Sequence, residues 1–355
     1  MKPISTLLMA SALSLTLAYT AQAQSIDTKK FAVVGTWGQL DHWKREDKFW
    51  NQTLPAVSGG KLTANAKPLT ELGMDGQKIM RDLRAGAFDF AHGVFLYVSS
   101  DSPVIEGGDL SGVSPDLATF RKTMNAYLPV LNKEFEKKFN SKILMLYAFD
   151  ETNMQCKLPE NTPSEVGLEV FKNLKIRSFG ASISDFISES LDAVPVPVAF
   201  GEVLQSLQKN TIDCGVSGVR SAYDAKWWQV ATHNVNLSLG YTASFLAVNK
   251  KVWDKLSPDT QKLIESEVAK LEEEMWQATA RNNEQGLNCI TSGSCDTENG
   301  NMKLVRLTEE AQKALKQSIN DKVVRNWASR CKTRSATCVD DWNSTVGEVV
   351  GMRAE

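Results

Sequence analysis

Short apolar runs alternate with amphipathic stretches from one end of the chain to the other, and this alternation limits the fold more than any other feature. Residues 30–36 (KFAVVGT) read as a buried strand, the Trp-rich stretch 37–50 as helix, and Leu62, Ala64 and Ala66 alternate as a strand does. Residues 77–83 are helical in composition and 88–94 (FDFAHGV) strand-like. Ser114-Pro115 carries the cap-then-proline signal that opens a helix, in which Leu117, Phe120, Met124, Leu128, Leu131 and Phe135 recur at three- and four-residue steps and define one buried face. A second unit begins near Asp150. Strands are expected over 142–149, 174–179, 211–216 and 244–248, a Pro-interrupted edge strand over 194–200, and helices over 185–191 and 201–209. Ser257-Pro258 starts a long helix with Ile264, Val268, Leu271 and Met275 on one side, and Thr308 caps a last one through Leu315, Ile319 and Val323. Such strand-helix-strand repetition predicts an α/β fold with a largely parallel sheet.

The length of 355 residues suits about two domains, each with its own core. Forty basic residues against 42 acidic ones leave a formal net charge of −2, with no run of five or six like charges. That balance argues against a surface that reads nucleic-acid phosphates. At the N-terminus, Lys2, an apolar run and Ala21-Gln22-Ala23 form a secretory leader, with cleavage expected after Ala23. An exported protein reaches an oxidising space where disulfides persist, and six cysteines fit that compartment. Six allow 15 connectivities. Proximity favours Cys289 with Cys295 and Cys331 with Cys338, which leaves Cys156 to pair with Cys214. Zinc is disfavoured by the absence of paired C-x-x-C units and by the scatter of His42, His92 and His233.

Catalytic constellations are nearly absent. The chain has no G-x-S-x-G elbow, no H-E-x-x-H, no Walker loop and no G-x-G-x-x-G after a strand. GVSGV at 215–219 lacks the glycine a nucleophile turn needs. No cofactor is expected.

Three segments carry a recognisable pattern: LKIRSFGASISDF, then AVPVPVAFGEVLQSLQKNTIDCGVSG, then YDAKWWQVATHNVNLSLGYTASFLAVNKKVWDKLSPDTQKLI. In this order they resemble the solute receptors of tripartite ATP-independent periplasmic (TRAP) transporters, and LGMDGQKIMRDLRAGAFDFAHG is similar to the family's N-terminal half. The resemblance implies a periplasmic two-domain clamshell with discontinuous domains and a long connecting helix, residues 24–148 with 243–282 and 149–242 with 283–355. It also implies a receptor, not an enzyme, that closes on a small organic acid and delivers it to integral membrane TRAP permease subunits. An exported carboxylate-dependent hydrolase or lyase on a two-domain scaffold is the alternative, and turnover of the ligand would distinguish it.

Arg177 falls at the family's K-x-R position and is expected to pair the ligand carboxylate, because a guanidinium offers two parallel N–H donors where Lys cannot. Phe200 matches a family aromatic that packs on the ligand. Ser217 stands where the family commonly has Asn, so it offers a different polar contact. Trp37 and Phe95 fall near the first domain's side of the cleft, each standing equally as a core residue, and Tyr241 is a further candidate near the crossing segment. Glu151 falls near the place of a second family arginine, which favours a monocarboxylate or a ligand with hydroxyl or amino groups over a dicarboxylate.

Overall fold

A computed structural model describes residues 25–237 and 239–355. The expected leader, residues 1–23, lies outside the described residues. Twelve strands occur among the described residues: β1 (Lys29–Gly35), β2 (Leu62–Pro68), β3 (Phe90–Val94), β4 (Ser141–Ala148), β5 (Thr152–Cys156), β6 (Glu165–Val166), β7 (Lys175–Ser178), β8 (Val194–Pro197), β9 (Cys214–Gly218), β10 (His233–Asn236), β11 (Ala243–Asn249) and β12 (Lys303–Leu307). They form two sheets, of order β2-β1-β3-β11-β4 and β6-β12-β10-β5-β9-β7-β8. Every residue of β3 and β11 is buried, as in central strands covered on both faces. β8, with its two prolines, is an edge strand, where a missing N–H is tolerated.

The sheets are mixed, a correction to the largely parallel sheet expected from the sequence. β11 runs antiparallel to both β3 and β4, and β5 antiparallel to both β9 and β10. The cause is the path of the chain. It leaves the first sheet after β4 and returns from the second into β11, so each sheet takes in one strand running against its neighbours.

Those two crossings, residues 149–151 and 237–242, are tied to each other: the Phe149 N–H donates to the Thr242 carbonyl at 2.9 Å and the Thr152 N–H to the Gly240 carbonyl at 2.8 Å. Gly240 has φ +80° and lies so close to the Ser114 carbonyl oxygen that a Cβ would sit 2.3 Å from it, so no other residue fits. A third connection is the helix Pro258–Ile290, 33 residues and about 50 Å long. Ser257 caps its start, accepting from the Thr260 N–H. Its middle holds the first sheet, Trp276 Nε1 donating to the Leu146 carbonyl at 2.8 Å and Thr279 Oγ1 to that of Ala148 at 2.6 Å. Near its end Asn283 accepts from the Glu151 N–H at 2.7 Å, and Gly286 lies against Arg220 of the second lobe.

The helix Leu117–Phe139 starts two residues later than Ser114-Pro115 suggested. Asp116 is the cap, its carboxylate accepting from the Thr119 N–H at 2.8 Å, while the Ser114 hydroxyl meets Thr123 Oγ1 at 3.1 Å. A carboxylate at this position also complements the helix dipole. Three disulfides join Cys156 to Cys214, Cys289 to Cys295 and Cys331 to Cys338. The first ties β5 to β9 at directly opposed positions. The C-terminal helices touch both lobes: Trp327 and Trp342 donate to the Pro103 and Gly107 carbonyls, each at 2.8 Å, while Ser318 donates to Ser190 at 2.8 Å.

Candidate functional site

Where the two sheets face each other, the ends of β3, β7 and β9 and both crossings enclose a small cavity. Its free volume is about 40 Å³, roughly three times the 10–15 Å³ that one water requires. Arg177 enters it from β7. The side chain is buried, with 2% of its surface exposed, and its fork is held on three sides. Nε donates to the Val198 carbonyl at 3.0 Å, Nη1 to the Val216 carbonyl at 2.5 Å, and Nη2 to the Tyr97 hydroxyl at 2.6 Å. Both carbonyls belong to the second lobe. Tyr97 belongs to the helical turn Phe95–Val98 that follows β3 of the first, so this last bond spans the cleft.

The guanidinium also lies 4.3 Å from the Phe179 ring and 5.8 Å from those of Phe200 and Trp227. Rings offer a cation a favourable quadrupole but no charge. No Asp or Glu among the described residues forms an ion pair with Arg177. Burial accordingly pulls its pKa below the ordinary arginine value, and Tyr97 opposes that shift only in part. Tyr97 is pushed up by its own burial, which keeps the phenol protonated and the cation unneutralised.

The opposite wall is aromatic. Trp37 follows β1 and stands edge-on to Tyr97, Phe149 and Phe200 at 5.7, 6.4 and 5.4 Å between centroids. The Phe200 contact again joins the two lobes. Ser217 and Gly218 of β9, Ser221, Thr242, Leu40 and Val94 complete the lining. Asp150 lies behind Gly218 and Ser221. Its carboxylate accepts from the Arg220 N–H at 2.5 Å, the Ser221 N–H at 3.0 Å and the Ser221 hydroxyl at 3.0 Å, and burial raises its pKa. A Cβ on Gly218 would sit 2.4 Å from that carboxylate, so the backbone can approach only as glycine.

Of the residues singled out in the sequence, Arg177, Phe200, Ser217 and Trp37 converge on this cavity. Phe95 does not. Its ring packs at 5.7 Å on Phe135 and 4.8 Å on Phe245 in the core of the first lobe, and Tyr97, two residues on, faces the cleft instead. Tyr241 also lies away from the cavity lining, 5.8 Å from Phe120 and accepting from Asn283 at 3.1 Å. Glu151 faces Asn236 at 3.5 Å and does not line the cavity, so its charge gives no geometric argument about a second carboxylate. Phe179 was legible from strand alternation, since it stands two residues after Arg177 and so on the same face. Tyr97, Phe149 and Thr242 gave no comparable signal, because their places depend on how the crossings and the turn after β3 fold.

Two α/β lobes joined by two crossing segments and a long helix, with a cavity shut between them, are the architecture of a two-lobed solute-binding protein. The chain belongs to the bacterial extracellular solute-binding proteins, family 7, whose pattern matches residues 33–330. It is 25% identical over 234 residues, 64% of this chain and 68% of the relative, to the 2,3-diketo-L-gulonate-binding periplasmic protein YiaO of Escherichia coli. It is 23% identical over 258 residues, 72% of this chain and 78% of the relative, to the sialic acid-binding periplasmic protein SiaP of Vibrio cholerae. A TRAP periplasmic solute-binding protein of Desulfovibrio salexigens, solved with bound orotic acid, shares the fold with a TM-score of 0.78 at 14% identity, over 90% of this chain and 99% of that one.

Proposed function

We propose that this chain is a periplasmic receptor that captures a small organic acid through Arg177 and delivers it to a TRAP-type permease, its leader being removed after Ala23. The observation that carries the reading is a buried guanidinium at the junction of the lobes with no carboxylate partner among the described residues. A charge taken out of water without a counter-ion costs several kcal/mol, and an anionic ligand offsets that cost. The named or bound ligands of the relatives, 2,3-diketo-L-gulonate, sialic acid and orotic acid, all carry a carboxylate.

Closure follows if the ligand contacts both lobes, because only differential affinity shifts an equilibrium between open and shut forms. Arg177, Phe200 and Ser217 supply one side of the contact, Trp37 and Tyr97 the other. The reaction is capture and release with no bond broken. Thermal-shift screening against an organic-acid library tests this: a ligand at 100 times its dissociation constant should stabilise the fold by about 2.7 kcal/mol. Recovery of the bound acid unchanged after incubation supports a receptor, and its conversion to another compound contradicts the reading.

A further inference from the structure

The cavity is poor in polar groups beyond its single cation. Phe149, Phe179 and Phe200 give three apolar rings, Trp37 gives a fourth whose one polar group is its indole N–H, and Leu40 and Val94 fill the remaining apolar wall. Four hydroxyls line it, on Tyr97, Ser217, Ser221 and Thr242. The Ser221 hydroxyl already donates its proton to Asp150 at 3.0 Å and can only accept from a ligand, and that of Thr242 faces Thr152 at 3.5 Å. Arg177 has five N–H donors, of which three are occupied, one on each nitrogen. The two that remain, one on each terminal nitrogen, match a single carboxylate held by a two-pronged contact. The Tyr97 hydroxyl accepts from Arg177, which leaves its own proton free to donate.

We infer that the cavity selects a compact monocarboxylate with an apolar body, aromatic or branched aliphatic, over dicarboxylates and sugar acids. This rests on the carboxylate-receptor reading above and narrows it. A second carboxylate would be stripped of water among Trp37, Phe149 and Phe200 with no second cation, and Asp150 lies just behind Gly218. The several hydroxyls of a sugar acid would outnumber the side-chain groups left to receive them, which are the Ser217 and Tyr97 hydroxyls, the Trp37 indole N–H and the acceptor side of Ser221, and each unpaired one is penalised. Apolar carbon, by contrast, gains from every ring it meets.

Isothermal titration calorimetry of the exported protein with phenylacetate, 4-methyl-2-oxopentanoate, succinate and D-galactonate tests the inference. At least one of the first two should bind about 100-fold or more tightly than either of the others. Phe179→Ser and, as the milder change, Phe179→Leu should narrow that gap while the melting transition stays cooperative. If succinate or galactonate binds as tightly as the apolar acids, and Arg177→Ala abolishes that binding, the selectivity proposed here is wrong while the carboxylate receptor stands. If none of the four acids gives heat or a thermal shift, the selectivity proposed here falls, and the carboxylate receptor falls with it only if the organic-acid library also gives no shift.

Discussion

Arg177 and Arg330 both stand at the junction of the lobes, and the protein treats them in opposite ways. Arg330 is enclosed by carboxylates: Nη1 meets Asp185 at 2.5 Å and Nη2 meets Glu106 at 3.3 Å, and Glu106 also accepts from the Ser182 N–H at 2.6 Å. Glu106 comes from the first lobe and Asp185 from the second, so this cluster is a neutralised bridge. Arg177 has carbonyls, a phenol and rings, and no carboxylate among the described residues. The contrast separates a charge that holds the structure from a charge kept for something else. A buried cation without a counter-ion carries a desolvation cost of several kcal/mol, and an anion from outside would offset it.

The contrast breaks most visibly at Arg177. Arg177→Ala should weaken binding of the cognate acid by about 30-fold to several thousand-fold, equivalent to roughly 2–5 kcal/mol, as read by calorimetry. Its melting point should hardly change, because the lost carbonyl contacts are offset by removal of an unpaired charge. Arg330→Ala should do the reverse. Breaking a buried pair costs roughly 3–5 kcal/mol, but the Arg330 side chain is 30% exposed and screened. A stability loss of about 2–3 kcal/mol in denaturant titration, with ligand affinity within about 10-fold of the parent, is the expected result.

Acid sharpens the comparison through His42, which is buried behind the cavity wall 4.8 Å from Phe149. Burial lowers its pKa from 6.5 to about 3, with Asp41 opposing and Arg45, His92 and Arg220 reinforcing the shift. The native state therefore resists a proton that the unfolded chain accepts below pH 6.5, and stability falls as pH drops through that value toward 3. Between pH 7 and 5 this amounts to about 2 kcal/mol. His42→Phe should reduce the acid sensitivity by that much, measured as the difference between the two proteins' unfolding curves. The smallest effect is expected from Tyr97→Phe, which removes one acceptor from Arg177 and one donor from the cavity. About 1 kcal/mol, or a 3- to 10-fold loss of ligand affinity, is expected by calorimetry.

The sequence exposes the long apolar strands and capped helices of this fold because their signals are local. β1, β3, β4 and β11 are runs dense in Val, Ala, Phe and Leu, and Ser257-Pro258 marks its helix directly. β5 (TNMQC), β10 (HNVN) and the two-residue β6 carry polar residues and no clear period. They become strands because the neighbours they pair with are in place, and their antiparallel sense comes from the crossings, which no local pattern encodes. The same divide runs through the cavity. Arg177, Phe200 and Ser217 stand on segments whose order resembles a family, and Trp37 directly follows a strong strand. Phe95 and Tyr97 are only two residues apart in a single helical turn, and aromatic character alone does not say which of them turns to the cleft and which to Phe135 and Phe245.

The most direct measurement is a crystal structure of the protein with the acid that binds it most tightly in the calorimetric series. The ligand carboxylate should lie about 2.7–2.9 Å from both terminal nitrogens of Arg177, with Trp37 and Phe200 closed over the rest of the molecule. A carboxylate held elsewhere, with the Arg177 donors turned to water or to a protein acid, would contradict the account.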